Sequence, residues 1–219
     1  MANINRPTGF KPVRQLDGSP YNGASQLYFI ATSDANAYAV GDLVTQVGTT
    51  NSSDLYALGV PIVTRLTGTE ASQPSALILG SIVGFKVDPT NLQNSGYNPA
   101  SNANGRYVWV SDAPQVIYEV QLCGAAGAAI APNLSAVAGT NYIGMNAEIY
   151  NPGATANGGA GLSNMQVDAS TVAVTATYPV KILRYSMRID QDLSTAGVYP
   201  KVEVLINSHA LSNNAIVGI

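Results

Sequence analysis

The sequence predicts an all-β protein: an antiparallel β-barrel or jelly-roll-like sandwich with long Gly/Asn-rich loops and an extended N-terminal arm. Two observations predict this class. Apolar and β-branched residues recur in short runs, several of which alternate with period two, and turn-forming residues separate the runs. Helix signals are few, because the Ala-rich stretch at 125–139 is interrupted by Gly127 and Pro132 and accommodates one short helix or turn.

Four strands are predicted in the first half of the chain. QLYFIAT at 26–32 is a compact apolar and aromatic run, and GDLVTQV at 41–47 alternates. LGVPIVTRL at 58–66 and ALILGSIVGFKVDP at 76–89 are apolar and β-branched. Two glycines inside the last run predict a bulge or bend in that strand.

Four more strands are predicted at 106–112, 116–123, 180–190 and 201–207. Alternation in the first of these (RYVWVSD) places Trp109 in the core, and the short SDAPQ segment after it predicts a hairpin-like connection to the next strand. In VKILRYSMRID, the same alternation puts Arg184, Ser186 and Arg188 on one polar face, which is either solvated or turned toward another subunit. The polar segments at 94–105 and 151–164 are predicted to be long loops.

The length and composition favour one large domain. The chain has 219 residues, of which 46% are apolar. All-β barrels and sandwiches often reach this length as single domains, so we expect an extended arm at 1–25 and one β-rich domain at 26–219. Only 11% of the residues are charged, against roughly 25% in an average soluble protein. The resulting surface of Asn, Ser and Thr is suited to lying against other protein.

The charge distribution argues against nucleic-acid and membrane partners. Residues 15–180 carry a net charge of −7, and an acidic body repels phosphates. Residues 1–14 carry three cations, too few for more than weak, salt-sensitive contact. No apolar run approaches the length of a transmembrane helix, and the first residues lack the apolar core of a secretory signal. We therefore expect synthesis in the cytoplasm, with the product remaining soluble or joining an assembly.

No pattern predicts catalysis, a cofactor or a metal site. The sequence contains no GxSxG, HExxH, GxxxxGK[ST] or CxxC motif. The single cysteine, Cys123, is expected to be a small buried core residue. The single histidine, His209, is expected to be a hydrogen-bonded structural residue at the end of a strand. Asp190 and Asp192 are expected to lie in a solvated turn, because no calcium-loop spacing accompanies them.

Both ends of the sequence resemble those of one family of virion proteins. The chain opens with RPTGFKPVR at 6–14 and SPYNG at 19–23, and it closes with a strand-like run that leads into INSH at 206–209. These segments resemble the ends of capsid cement (decoration) proteins of tailed bacteriophages. Such proteins often begin with an Arg-Pro-x-Gly-Phe/Leu-x-Pro-Val-Arg-like arm and often close on a strand followed by Asn-x-His. The resemblance covers roughly the first 32 and the last 40 residues.

The resemblance implies a β-rich, commonly trimeric structural protein on the outer surface of the virion capsid, with the major capsid protein as its partner. A proline-stiffened arm has little entropy to lose on docking, so the arm is expected to clip onto a neighbouring subunit. Alternatively, the arm folds onto its own barrel, and both arrangements can hold at once. We expect Phe10 to be the apolar anchor of the clip. The full set of expected capsid or intersubunit contacts is Arg6, Pro7, Phe10, Lys11, Pro12 and Arg14.

A function from another class stays open. Exposed aromatic residues and Asn/Asp-containing loops suit a carbohydrate-binding or adhesive β-domain of a phage tail or cell surface. Against this alternative, the chain has one tryptophan and no clustered acidic–aromatic loop motif.

Overall fold

A computed structural model gives the architecture, and it describes residues 3–52, 58–67, 77–87, 96–100, 105–134, 141–153, 161–194 and 197–212. Strands hold 47% of the residues and helical turns 2%, so the predicted all-β class is confirmed. The described strands are β1 (Lys11–Gln15), β2 (Gln26–Ile30), β3 (Tyr38–Ala39), β4 (Leu43–Thr50), β5 (Pro61–Arg65), β6 (Gly80–Phe85), β7 (Tyr97–Asn98), β8 (Arg106–Ser111), β9 (Val116–Cys123), β10 (Asn146–Tyr150), β11 (Gln166–Ala173), β12 (Val180–Tyr185) and β13 (Lys201–Ile206).

The first half of the chain forms a closed barrel with the strand order β2-β5-β4-β6-β8. Its strands are antiparallel except for β2 and β5, which pair in parallel with Phe29 opposite Ile62. Alternating side chains fill the interior, as period-two strands require. This core contains Tyr28, Ile30, Tyr38, Val44, Val63, Leu79, Ile82, Val108 and Val110.

The second half closes into another ring of five strands. β9 pairs with β11 in parallel and with β13 antiparallel, and the pairings β11–β10, β10–β12 and β12–β13 complete the circuit. The inward-facing residues of all five strands belong to one core, which includes Tyr118 and Val120 from β9, Ile149 from β10, Val167 from β11 and Val204 from β13. β1 pairs with β9 alongside this ring.

Buried polar contacts join the barrel to the ring. Ser163 Oγ donates a hydrogen bond of 2.6 Å to Asp42 Oδ1, and Arg65 Nε lies 3.2 Å from Asp42 Oδ2. The same guanidinium donates to the Gly153 carbonyl through Nη2 at 2.9 Å. Because Asp42 and Arg65 are almost fully buried, each depends on the other for its charge partner. The two halves therefore pack as one unit across this interface.

The sequence missed five of the thirteen described strands and misassigned the connection after β8; the five are β1, β3, β7, β10 and β11. β10 and β11 were not predicted, although they flank the predicted loop at 151–164. The SDAPQ segment is not a hairpin, because β8 belongs to the barrel and β9 to the second ring. Trp109 is not in the core: its side chain lies on the outside of β8 and is 40% exposed. The barrel interior is filled instead from the other face, by Val108 and Val110.

Two further predictions concern segments that the structure describes only in part. The Ala-rich stretch contains one short 3₁₀ turn, Ala125–Gly127, and its residues 135–139 lie outside the described ranges. The predicted loops at 94–105 and 151–164 also contain residues outside those ranges, at 94–95, 101–104 and 154–160.

The predicted extended arm packs on its own chain, which is one of the two arrangements that the sequence left open. Residues 11–15 of this arm form β1, which pairs with β9. Pro12 fits there because β1 is an edge strand, where a missing N–H costs no ladder hydrogen bond. The outer side of β1 is covered by its own chain, since Tyr21 N donates to Val13 O and Gln15 N donates to Ser19 O. This cover removes an exposed edge from the molecule.

A close approach of two glycines fixes the chain just before β1. Gly9 has a φ of +66°, and a Cβ built there would lie 2.4 Å from Gly41 O and 2.5 Å from Ser163 Cβ. Gly41, with a φ of +93°, would bring its own Cβ within 2.4 Å of Thr8 O. Neither contact tolerates a side chain, and positive φ favours glycine at both positions. The amino-terminal segment is thereby held against the barrel.

Candidate interaction surface formed by the two ends of the chain

Residues Asn3–Thr8 lie across the outer face of β9 as an extended segment, which we call the rib. Arg6 N donates to Gln121 Oε1 at 3.0 Å, and Gln121 Nε2 donates to Asn5 Oδ1 at 2.8 Å. Asn3 exchanges two hydrogen bonds of 2.9 Å with the backbone of Asp192. All eight residues of β9 are buried, so the strand is covered on its outer face as well as on its core face.

Phe10, two residues after the rib, holds the segment against the first barrel. Phe10 N donates to Gly41 O at 2.9 Å, and Ser81 Oγ donates to Phe10 O at 2.6 Å. The Phe10 ring is fully buried and meets the Tyr118 ring edge-on, with 6.3 Å between centroids and 71° between planes. The segment that includes the rib and Phe10 therefore clips the barrel to the second ring within one chain.

The position of the amino-terminal segment buries some of the six residues that were predicted to contact a neighbouring subunit and leaves others exposed. Phe10 is in the chain's own core, so it is not an anchor available to another subunit, and Pro7 is buried. Arg14 is half-buried and paired within the chain. Pro12 is half-buried in β1. Of the six residues, only Arg6 and Lys11 are exposed, and neither forms an ion pair within the part of the chain that the structure describes.

Glu203 forms the centre of one charge network on the outer face of the ring. Its Oε2 accepts from Arg14 Nη2 at 2.7 Å and from Arg184 Nε at 2.9 Å, and its Oε1 accepts from Arg184 Nη2 at 3.0 Å. Burial alone would raise the pKa of Glu203, but the hydrogen bonds from Arg184 and Arg14 outweigh it and hold that pKa below its usual range. The network ties β1, β12 and β13 together through their side chains.

A second network holds the loop that follows β12. Glu119 accepts a short hydrogen bond from Ser186 Oγ, and its Oε1 lies 3.1 Å from Arg188 Nη1. Arg188 also binds Asp190, at 2.9 Å from Nε and 3.1 Å from Nη2. Gln191 bonds the backbone of Ser186 and both the N–H and the carbonyl of Lys201. The loop at 186–192 is therefore fixed at its base.

Alternate residues of this loop point in opposite directions. Ser186 and Arg188 turn inward to Glu119, whereas Met187 is 84% and Ile189 fully exposed. Ile4, on the neighbouring rib, is 70% exposed. The backbone that carries these three exposed apolar side chains is held in place by hydrogen bonds of Asn3, Ser186 and Gln191. We call the set Ile4, Arg6, Lys11, Met187 and Ile189 the basic–apolar surface.

The charge around this surface is opposite in sign to the charge of the protein. Although the whole chain has a net charge of −3, the rib, β1 and the loop at 186–192 together carry four cationic and two acidic side chains. This local excess suits an acidic partner. The side chains counted are Arg6, Lys11, Arg14, Arg188, Asp190 and Asp192.

A cleft of about 370 Å³ lies between the rib and the loop. Ile4, Arg6 and Thr8 line its rib side, and Arg188 and Gln191 line its loop side. Ile4, Arg6 and Thr8 face the cleft together because every second side chain of an extended chain points the same way, and Asn3 also lines it. Lys201 also lines the cleft, and burial lowers its pKa.

Sequence reasoning missed the loop because it extended the strand too far. The prediction carried β12 to residue 190, which placed Met187 and Ile189 on the face opposite Arg184, Ser186 and Arg188. The strand ends at Tyr185, and the chain then turns under the control of side-chain hydrogen bonds. The polar alternation at Arg184, Ser186 and Arg188 was the available signal. These side chains face carboxylates of the same chain, an alternative that the sequence did not suggest.

The described residues show no cluster of three or more His, Cys, Asp or Glu side chains able to hold a metal ion. Cys123 is buried, as predicted. His209 is 2% exposed, and its Nδ1 accepts from Leu211 N at 3.1 Å, as expected for a structural residue. Within the described ranges no helix has the length and apolar character needed to cross a membrane. Comparisons of this chain with protein-family models, with curated proteins and with solved structures find no match.

Proposed function

We propose that this chain is a structural virion protein that binds the outside of a tailed-phage capsid and stabilises it by cementing neighbouring major capsid subunits. One observation carries the proposal. The two sequence segments that resemble cement proteins lie at opposite ends of the chain, yet they meet at one cleft on the surface. Ile4, Arg6 and Thr8 of the first segment line this cleft together with Arg188, Asp190 and Gln191 of the second, and the exposed Met187 and Ile189 alternate with Arg188 and Asp190 along the same loop.

The chemistry of this surface suits attachment to another protein. Its backbone is already fastened by Asn3, Ser186 and Gln191, so little conformational entropy remains to be lost on docking. Burying one side chain such as Met187 or Ile189 contributes about 1.5–3 kcal/mol. An exposed charge pair contributes roughly 0.2–1 kcal/mol. The apolar side chains therefore supply most of the affinity, and the cations orient the protein on an acidic capsid patch.

The closed strand rings bear on how copies of the chain would associate. Exposed sheet edges invite strand pairing between molecules, but the described strands of the barrel and of the second ring each close on themselves, and β1 is covered by residues 19–21. The homotrimer that the resemblance implies would therefore form through side-chain contacts. We propose the threefold or quasi-threefold positions of the capsid exterior as its location.

A double substitution tests the surface. The variant Met187→Ser/Ile189→Ser is mixed with capsids that lack the protein, and occupancy and capsid rupture temperature are measured. The matched control is Val174→Ser, because Val174 is 82% exposed and lies outside the surface. Loss of two apolar anchors should weaken binding at least about a hundredfold, since every 1.4 kcal/mol is a factor of ten. Added salt should weaken binding only modestly.

Two outcomes would contradict the proposal in different ways. Equal occupancy by the double variant and the control would place the contact elsewhere on the molecule. Failure of the unmodified protein to bind or stabilise capsids would reject the cementing function itself.

A further inference from the structure

A second cleft, of about 320 Å³, lies on the other side of the rib. The same alternation that turns Ile4, Arg6 and Thr8 toward the first cleft turns Asn5 and Pro7 toward this one. Its volume is at the lower end of the range for small-molecule sites, roughly 300–1,000 Å³. None of the described residues that line it is charged. The wall is formed chiefly by Asn5, Pro7, Tyr150, Pro152, Asn164 and Gln166.

A buried glutamine orients two of the amides in this wall. Gln121 is 1% exposed, and its Nε2 donates to both Asn5 Oδ1 and Gln166 Oε1 at 2.8 Å. Its own Oε1 accepts from Arg6 N at 3.0 Å. Since the amide oxygens of Asn5 and Gln166 are occupied by this donor, their NH₂ groups remain as donors at the cleft. Gln121 thus sets the direction of both carboxamides.

A tight turn at Gly127 fixes the position of Tyr150, the aromatic residue that lines the cleft. Gly127 has a φ of +77°, and a Cβ built on it would lie 2.7 Å from Tyr150 Cε1. Ala126, beside it, is held at a φ of +55°, which is uncommon for a residue other than glycine. The Tyr150 ring therefore packs directly on the backbone of Gly127, and Tyr150 lines the cleft together with Asn5 and Gln166.

We propose that this cleft binds a neutral saccharide. Sugar hydroxyls accept from amide NH₂ groups and donate to carbonyl or phenol oxygens, and the C–H face of a sugar ring packs on flat apolar groups such as Tyr150, Pro7 and Pro152. A charged ligand would find no counter-charge among the lining residues. An extended peptide could not add as a strand there, because β11 is paired with a neighbour on each side. The activity goes beyond capsid attachment and does not depend on it.

Saturation-transfer NMR on the full chain tests the site. The panel contains glucose, galactose, mannose and N-acetylglucosamine with their short oligomers, and glucuronic acid is the charged comparison. A sugar that responds is then titrated against the Asn5→Ala and Tyr150→Phe variants. Each variant removes one hydrogen-bonding group and should weaken binding about two- to tenfold. Asn22→Ala is the matched control, because Asn22 is exposed and bonds only locally to Ala24 N.

The results separate this site from the capsid-binding surface. Saccharide binding that is weakened by Asn5→Ala and Tyr150→Phe, but not by Met187→Ser/Ile189→Ser, supports the proposal. Absence of any response across the panel overturns it. A response that both cleft variants leave unchanged, or a preference for the charged sugar, overturns it equally.

Discussion

Replacing Phe10 by alanine tests whether the amino-terminal segment belongs to its own fold or waits for a neighbour. The side chain is fully buried in the core of the second ring, although its backbone is bonded to the first barrel through Gly41 and Ser81. Phe10→Ala therefore removes a core side chain at the junction of the two halves. If the segment were a free clip, the same substitution would leave the isolated protein unaffected.

The structure sets the size of the expected effect. Truncating a buried Phe to Ala costs about 3–5 kcal/mol, which combines lost transfer energy with the cavity left behind. The edge-on contact with Tyr118 belongs to this cost, and an aromatic pair contributes about 0.5–1.5 kcal/mol beyond its area. A typical native protein is stable by only about 5–15 kcal/mol. The variant should thus lose a large fraction of its stability.

Chemical denaturation followed by circular dichroism measures the free energy of unfolding, with Ile189→Ala as the comparison. Ile189 is fully exposed, and a substitution at such a site should change stability by no more than about 0.5 kcal/mol. Phe10→Ala within about 0.5 kcal/mol of the unmodified protein would refute the intramolecular clip. The sequence-based expectation that Phe10 anchors a neighbouring subunit would then return.

Three other substitutions examine separate features. Gly9→Ala adds a side chain at positive φ against the backbone of the barrel and should lower the free energy of unfolding by at least about 2 kcal/mol. Gly18→Ala is the control, because φ is also positive there but nothing lies within 4 Å, and it should lower stability less. Equal losses of stability in thermal denaturation would contradict the close-approach argument. Burial, and then the facing carboxylate of Asp168, raise the pKa of Glu148, so its ionised form destabilises the fold as pH rises through that pKa. Glu148→Gln should gain about 0.2–1 kcal/mol at pH 7 and lose that advantage in acid, and no gain at pH 7 would count against it. Burial lowers the pKa of His209 to about 4 from a usual 6.5. Between these two pH values the unfolded chain binds a proton at His209 and the folded chain does not. The free energy of unfolding should therefore decline by at most roughly 3 kcal/mol as pH falls from 6.5 to about 4. His209→Asn should reduce this dependence of stability on pH, as measured by melting temperatures across the pH range. An unchanged pH dependence would mean that other groups cause it.

The all-β class was predictable because it depends on local patterns. The runs that became β2, β4, β8 and β9 alternate or are continuously apolar, and such patterns survive in the fold. The closure into two rings was not predictable, because strand partners are set by contacts distant in sequence. The parallel pairing of β9 with β11, for example, joins Leu122 to Val167. Short, mixed runs such as NAEIY at 146–150 carry too weak a pattern to mark β10.

The site was partly predictable for a similar reason. The basic, proline-rich start of the chain was singled out from its composition, and two of its residues, Arg6 and Lys11, are exposed. All six candidate residues in this segment were nevertheless predicted to contact a neighbouring subunit. The sequence does not show that Gly9 permits a close approach to the barrel. It also does not show that Phe10 enters a core formed mainly by the second half of the chain. The exposure of Met187 and Ile189 was not predicted, because the strand was extended to residue 190 and ends at Tyr185.

Stability and attachment are coupled through the rib, and this coupling decides which experiments can separate them. Ile4 and Arg6 belong to the proposed capsid surface, but they are held in position by Asn3 on one side and by the buried Phe10 on the other. Deleting residues 1–14 would remove β1, the Phe10 core contact and the surface together. The truncated protein would lose both stability and binding, whichever of them the arm serves. A substitution at an exposed position of the rib, such as Ile4→Ser, leaves the fastening residues intact. A change of that kind, like the Met187→Ser/Ile189→Ser variant, tests attachment without altering the fold that presents the surface.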